Sequence, residues 1–131
     1  GMGDNTRGAL VTRGLAEITR LGTAMGAKAE TFAGLSGMGD LVTTCVSPHS
    51  RNRHVGEQLG KGRTIDEIVS QMHMVAEGVK TARVVMECAR KFDVEMPIAR
   101  EVYGVLYEGR TARDAYRGLM RRRPGAEGEP G

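Results

Sequence analysis

The sequence predicts an all-α fold, a packed bundle of about seven helices. Three observations lead there. Apolar residues recur at helical spacing along most of the chain, capping residues and helix-stopping glycines and prolines punctuate it, and no alternating run is long enough to build a sheet.

The first helix opens on the capping side chains of Asp4-Asn5-Thr6, and Leu10, Val11, Leu15, Ile18, Leu21 and Met25 then mark one buried face. Gly26 stands where a left-handed C-cap would end it, with Arg7, Arg13, Glu17 and Arg20 on the outer side. A short helical piece follows over Glu30 to Leu35. Beyond a glycine-rich turn, Leu41, Val42 and Cys45 form one or two turns starting near Asp40, which Pro48 stops.

Ser50 caps a helix over Arg51 to Leu59, with Val55 and Leu59 facing inward and Gly60 and Gly62 terminating it. Thr64-Ile65-Asp66-Glu67 has the form of a capping box, Thr followed by Glu one turn later, and opens a short helix through Met72. His73-Met74-Val75-Ala76 is the place for a short extended segment, leading into a helix entrance at Glu77-Gly78. Val79, Ala82, Val85, Met86 and Ala89 trace a second long helix to Phe92. Pro97 begins a third that runs to Gly109, since a proline there gives up only an already unpaired donor. Thr111-Ala112-Arg113-Asp114 starts the last helix, to about Met120. Residues 1–120 thus read as one helical domain, and residues 121–131, Arg-rich and then Gly/Glu/Pro-rich, as a frayed flexible tail.

Composition bounds the function. At 131 residues the chain can bury a core, yet it is small for an enzyme that must also hold a nucleotide. With 40% hydrophobic and 27% charged residues it is globular, and no apolar run approaches the roughly 20 residues a membrane span needs. The net charge of +3 suits a small anionic ligand such as a phosphorylated metabolite and falls short of a nucleic-acid footprint. Nor do aromatics interleave with Arg121-Arg122-Arg123, so a solvated end is the better account of that tail. Cys45 and Cys88 lie far apart without Cys-x-x-Cys spacing, which points to a reducing, cytoplasmic setting and away from zinc or a disulfide framework. The chain opens abruptly at Gly1-Met2-Gly3 without a charged-then-apolar leader, as a fragment of a longer protein would.

Chemistry concentrates in Gly34-Leu35-Ser36-Gly37-Met38-Gly39-Asp40-Leu41-Val42-Thr43-Thr44-Cys45 and its continuation Ser50-Arg51-Asn52-Arg53. The free N–H groups of a helix start, a serine hydroxyl and a guanidinium could converge there on an oxyanion. The bland alternative is a serine cap beside two solvated arginines. Asp40, at a helix start, would be held ionised by the dipole, able to orient a cation or accept a proton, or would serve as an N-cap. The Gly-x-x-Gly-x-Gly string is no dinucleotide loop, because no strand precedes it and the spacing is inverted. His49, His54 and His73 lack metal-ligand spacing and read as surface histidines. The cysteines read as small packed hydrophobes and the eight methionines as core filler.

Taken together, Gly3-Asp4-Asn5-Thr6-Arg7, Thr12-Arg13-Gly14-Leu15-Ala16-Glu17, Gly34 to Leu41, Thr43-Thr44-Cys45, Ser50-Arg51-Asn52-Arg53 and Val75-Ala76-Glu77-Gly78 form a specific set. In that order the chain, from Gly1 to about Met120, resembles the C-terminal domain of bacterial NAD(P)-dependent glycerol-3-phosphate dehydrogenases. The resemblance implies an all-α domain similar to the C-terminal domain of 6-phosphogluconate dehydrogenase-like enzymes. It also implies reversible hydride transfer between a nicotinamide cofactor, NAD or NADP, and the C2 carbon of dihydroxyacetone phosphate, giving sn-glycerol 3-phosphate for phospholipid synthesis. By the family pattern Ser50, Arg51 and Asn52 hold substrate together with Asp40, which also lies beside the catalytic lysine and helps orient it, and Thr44 lines the substrate site. Arg51 also reaches the cofactor, with Val75 and Glu77.

The lysine and the glycine-rich loop of the family's N-terminal Rossmann domain precede the point where this sequence starts, and Lys28, Lys61, Lys80 and Lys91 do not sit in the lysine motif. The chain alone is therefore expected to be inactive, with the Rossmann domain as its partner and self-association to a homodimer as the fate of an uncovered apolar face. Two other classes of function compete with this expectation. One is a stand-alone helical dimerisation or anion-binding module. The other is nucleic-acid binding through the arginine tail, which predicts steep salt dependence.

Overall fold

In the computed structural model, which describes residues 3–74 and 76–121, the chain folds into eight α-helices and one π-helical turn, with no strand among the described residues. The order is α1 (Asp4–Ala24), α2 (Ala29–Ala33), the π turn Leu35–Gly39, α3 (Asp40–Val46), α4 (Arg51–Gly60), α5 (Ile65–Ser70), α6 (Glu77–Lys91), α7 (Pro97–Tyr107) and α8 (Ala112–Arg121). The class is the expected one. The eight α-helices fall on the eight helical segments read along the chain, one more than the rounded count of seven, and the π turn between α2 and α3 adds a ninth helical piece, its hydrogen bonds reaching one residue farther than in an α-helix. The Arg122–Gly131 part of the expected flexible tail lies outside the described residues.

Several ends of helices follow local chemistry. Gly26 takes the left-handed conformation, φ 100°, just past α1; its N–H meets the Thr23 carbonyl at 3.0 Å and the Ala27 N–H meets that of Gly22 at 2.9 Å. Both orphan carbonyls are thus satisfied by a turn that a Cβ would strain. Thr64 and Glu67 form the expected capping box, Pro97 is the first residue of α7, and the Thr111 hydroxyl accepts the Asp114 N–H at 3.1 Å at the start of α8. The start of α1 departs from expectation: its N-cap is Gly3, in extended backbone and without a side-chain bond. Asp4 already lies inside the first turn, where its charge acts on the helix dipole, so Asp4-Asn5-Thr6 do not cap.

Two small cores hold the bundle. Leu21, Ala89 and Met96 join α1, α6 and the approach to α7, with Val85, Cys88, Val94 and Ala99 around them. Val55, Ile68 and Ala76 join α4, α5 and the start of α6, with Leu59, Ile65, Met72 and Val79 around them. Ile68 is 1% exposed, and burying one such side chain contributes about 1.5–3 kcal/mol. The second core is what sets α4 against the start of α6. Methionine fills these cores less than expected: Met96 is buried, but Met25, Met38, Met74 and Met120 are exposed. Met25 and Met74 lie outside any helix, and Met38 and Met120 sit on the outer sides of the π turn and α8.

Polar placement on α1 also differs from expectation. Glu17 is 5% exposed, and its carboxylate accepts the Ile98 N–H at 2.6 Å and the Ala99 N–H at 3.3 Å, the first free donors of α7. Arg13 and Arg20 are half-buried with it, and Arg13 Nη1 reaches the Leu119 carbonyl at 3.5 Å. What looks like an outer charged face is turned inward because α7 docks there and needs its N-terminus capped. Farther along, α2 is wedged between α1 and the π turn. A Cβ on Gly22 would fall 2.1 Å from Phe32 Cζ, and one on Gly37 would fall 2.2 Å from the Phe32 carbonyl oxygen. Phe32 is therefore seated between two glycines, and the π turn that follows delivers Asp40.

Candidate functional site

The loop before α4 builds the site. The Ser50 N–H donates to the Ser47 carbonyl and the His49 N–H to the Ser47 hydroxyl, both at 3.2 Å, turning the chain after α3. Ser50 then adopts extended backbone and its Oγ accepts the Arg53 N–H at 3.2 Å, the expected cap. This leaves the N–H groups of Arg51 and Asn52 at the positive end of a helix, free for an anion.

The two arginines of the Ser-Arg-Asn-Arg tetrad do different work. Arg53 Nη1 donates to the Val46 carbonyl at 2.5 Å and its Nε to Glu57 at 3.0 Å, so this cation ties α4 to the negative end of α3. Arg51 is exposed, and its Nη1 lies 3.4 Å from the Met74 sulfur, a weak acceptor. Its guanidinium keeps most of its donors for something else. Asn52 reaches across to α6, where its Oδ1 accepts the Gly78 N–H at 3.0 Å. Since Gly78 is the second residue of α6, this bond sets the N-termini of α4 and α6 side by side. Two positive helix ends and a guanidinium then border one surface.

That surface is a recess of about 380 Å³ lined by His49, Ser50, Arg51, Asn52, Met74 and Glu77. Four of the residues expected from sequence, Ser50, Arg51, Asn52 and Glu77, are brought together here. His49 and Met74 were not anticipated as part of it; they arrive as the residue before the cap and the residue beneath Arg51. Gly78, behind Asn52, was legible as half of the Glu-Gly helix entrance and as the end of the Val75-Ala76-Glu77-Gly78 motif, without a role at the site.

Asp40 and Thr44 do not line the recess. Asp40 is exposed as the first residue of α3, but Gly39 before it is already helical, with φ −59° and ψ −49°. The Gly39 N–H is bonded to the Gly34 carbonyl at 3.2 Å, so Asp40 is neither an N-cap nor at a free helix start. The helix it belongs to begins one turn earlier, at Leu35, which removes the expected dipole argument for its charge. Thr44 is half-buried on the same helix. Val75 lies outside the described residues.

Elsewhere the chemistry is quieter. Among the described residues no three His, Cys, Asp or Glu side chains converge as a metal site would require. Burial pushes the Cys45 thiol above its ordinary range, which disfavours the thiolate. A second cavity, of about 400 Å³, lies between α4, α7 and α8, walled mainly by Val55, Leu59, Val102, Val105, Tyr116 and Leu119 and meeting the recess at Asn52.

A helical domain with a cationic recess at two paired helix starts is the class these features define. Residues 1–117 match the family described as NAD-dependent glycerol-3-phosphate dehydrogenase C-terminus, and the chain belongs to that family. It is similar to glycerol-3-phosphate dehydrogenase (NAD(P)+) 2 of Sphingopyxis alaskensis, with 62% identity over 131 residues, 100% of this chain and 39% of the relative. Glycerol-3-phosphate dehydrogenase (NAD(P)+) 1 of Mycobacterium tuberculosis strain H37Rv is 59% identical over 127 residues, 97% of this chain and 37% of the relative. The crystal structure of glycerol-3-phosphate dehydrogenase from Coxiella burnetii superposes with a TM-score of 0.88 at 40% identity, over 92% of this chain and 37% of that one. The chain thus spans under two fifths of the length of these relatives.

Proposed function

We propose that this chain is the substrate-holding half of an NAD(P)-dependent glycerol-3-phosphate dehydrogenase, interconverting dihydroxyacetone phosphate and sn-glycerol 3-phosphate. The observation that carries the proposal is the recess in which Ser50, Arg51, Asn52 and Glu77 meet at two helix N-termini. A dianionic phosphate ester matches it: the Arg51 guanidinium supplies charge and paired donors, the first N–H groups of α4 supply directional donors, and the Asn52 amide offers Nδ2 once Oδ1 is occupied.

A nicotinamide dinucleotide fits the edge of the same recess, because Arg51 offers a cation to its phosphates and Glu77 an acceptor for its hydroxyl or amide groups. Arg51, Glu77 and Val75 would hold it there, and when bound it would supply or take the hydride. The greater part of its binding, and the general acid/base lysine, belong in this proposal to a nucleotide-binding domain preceding residues 1–120. Asp40 orients that lysine as a fixed carboxylate beside an ammonium, with Thr44 on the same helix lining the site. Exposed Met38, Val42 and Val46 recur at helical spacing along the π turn and α3, giving apolar surface for that domain or, failing it, for a second copy of the chain. Among the described residues no helix is long and apolar enough to cross a membrane. A cytoplasmic enzyme feeding phospholipid synthesis completes the proposal.

Two measurements test it. Calorimetry of the chain with glycerol 3-phosphate should show binding that Arg51→Ala weakens. Joined to its nucleotide-binding domain, the protein should turn over dihydroxyacetone phosphate, and Asp40→Asn or Arg51→Ala should remove that turnover. Full activity in both variants would defeat the residue assignments.

A further inference from the structure

Asn52 can serve a ligand only if its amide is held one way round, and the structure shows what holds it. Oδ1 accepts the N–H of Gly78 at 3.0 Å. A side chain in place of this glycine would push the amide aside, since a Cβ built there would lie 2.8 Å from Asn52 Oδ1, 2.9 Å from Cγ and 3.1 Å from Nδ2. Gly78 has no helix-breaking duty to explain this, because it sits in the first turn of α6 with no positive φ.

We infer that Gly78 is a positioning residue for the substrate site: its backbone N–H and its missing side chain together seat the Asn52 amide with Nδ2 left as a donor to the bound phosphate ester. Swapping the amide's two ends would place an NH2 group against the Gly78 N–H, donor against donor, so the bond selects one orientation. An N–H at the positive end of α6 also polarises the amide it donates to, strengthening the donor at the far end. The inference rests on the recess being the substrate site, and it extends that site to a residue that touches no ligand.

Two variants separate position from fold. Gly78→Ala adds a Cβ against the Asn52 amide and improves helix propensity, so α6 should form about as well while Asn52 is displaced. Asn52→Asp keeps the acceptor for Gly78 and removes the donor. The readouts are the Asn52 side-chain amide resonances in a 15N–1H correlation spectrum, the thermal midpoint, and titration with glycerol 3-phosphate.

In Gly78→Ala the Asn52 amide pair should shift and glycerol 3-phosphate affinity should fall by about tenfold or more, the worth of one hydrogen bond to a charged group, with the thermal midpoint about held because the helix propensity gained offsets the cap lost. Asn52→Asp should hold the midpoint and lose at least as much affinity. Unshifted Asn52 amide resonances, or undiminished affinity, in Gly78→Ala would overturn the inference. Failure of the unaltered chain to bind glycerol 3-phosphate, with the amide shift still present in Gly78→Ala, would instead overturn the substrate assignment while leaving Gly78 as what orients Asn52.

Discussion

Two consecutive helices, α6 and α7, are each capped by a side chain from an earlier helix, and the two caps differ in a telling way. Glu17 caps α7 from inside the protein, with both carboxylate oxygens taken by Ile98 and Ala99. Asn52 caps α6 at the rim of an open recess and spends only one end of its amide on Gly78. A buried group with both oxygens engaged by the backbone holds the fold together and has nothing to offer a ligand. A half-engaged group at the surface holds the fold and still has a donor to offer. The comparison teaches where, in a bundle whose helices all need caps, structure ends and binding begins.

Breaking the buried cap should have the largest effect. Glu17→Ala leaves two N–H groups of α7 without acceptors in dry surroundings, and should cost about 2–3 kcal/mol of stability, read from denaturant midpoints. A loss below about 0.5 kcal/mol would mean that water reaches α7 and the contrast with Asn52 is false. Arg51→Ala should do the reverse. Glycerol 3-phosphate affinity should fall about tenfold to a hundredfold by calorimetry, while stability stays within about 0.5 kcal/mol, because Arg51 is exposed and makes only a weak contact to sulfur. Asn52→Ala lies between them. It should lose about 1 kcal/mol of stability, the worth of a helix cap, and also weaken binding, so that both readouts move together.

The smallest effect is one of pH. Burial raises the Glu17 carboxyl above its ordinary 4.5, against the opposing pull of the Ile98 and Ala99 N–H groups and of Arg20 and Arg13. The folded protein therefore holds this proton more tightly than the unfolded chain does. Its contribution favours the fold below pH 4.5 and is lost as pH rises through the raised value. Subtracting the stability curve of Glu17→Gln from that of the parent should reveal a fall with rising pH across this window. A difference curve that is flat or rises there would contradict the burial of Glu17.

How much could be seen beforehand depended on how far apart the partners lie in sequence. The Thr64–Glu67 box, the Ser50 cap, the Gly26 terminus and Pro97 at the head of α7 were all legible, since each depends on residues within one turn of each other. Glu17 was not: its partners lie 81 and 82 residues on, and a glutamate between two arginines on a helix looks like an ordinary solvated face. Asp40 misled for a related reason. A glycine-rich string before an acid reads as a turn and a fresh helix start, but Leu35–Gly39 winds as a wide helical turn with Gly37 against the Phe32 backbone, while the Phe32 ring packs on Gly22 of α1, a contact no local pattern announces.

By itself, then, the sequence determined the all-α class, most helix boundaries, the serine cap with its neighbouring arginine, and the family, because hydrogen bonds within one turn and apolar periodicity are properties of the chain's spacing. Only the tertiary structure decided which arginine is tied down and which is exposed, that Glu17 faces inward, and that Asn52 is oriented by Gly78. Those choices follow from how the Val55–Ile68–Ala76 core sets α4 against α6 and the Leu21–Ala89–Met96 core sets α1 against α6 and the approach to α7. A cap supplied by another helix leaves no periodic trace along the chain, so it comes into being only when the helices pack.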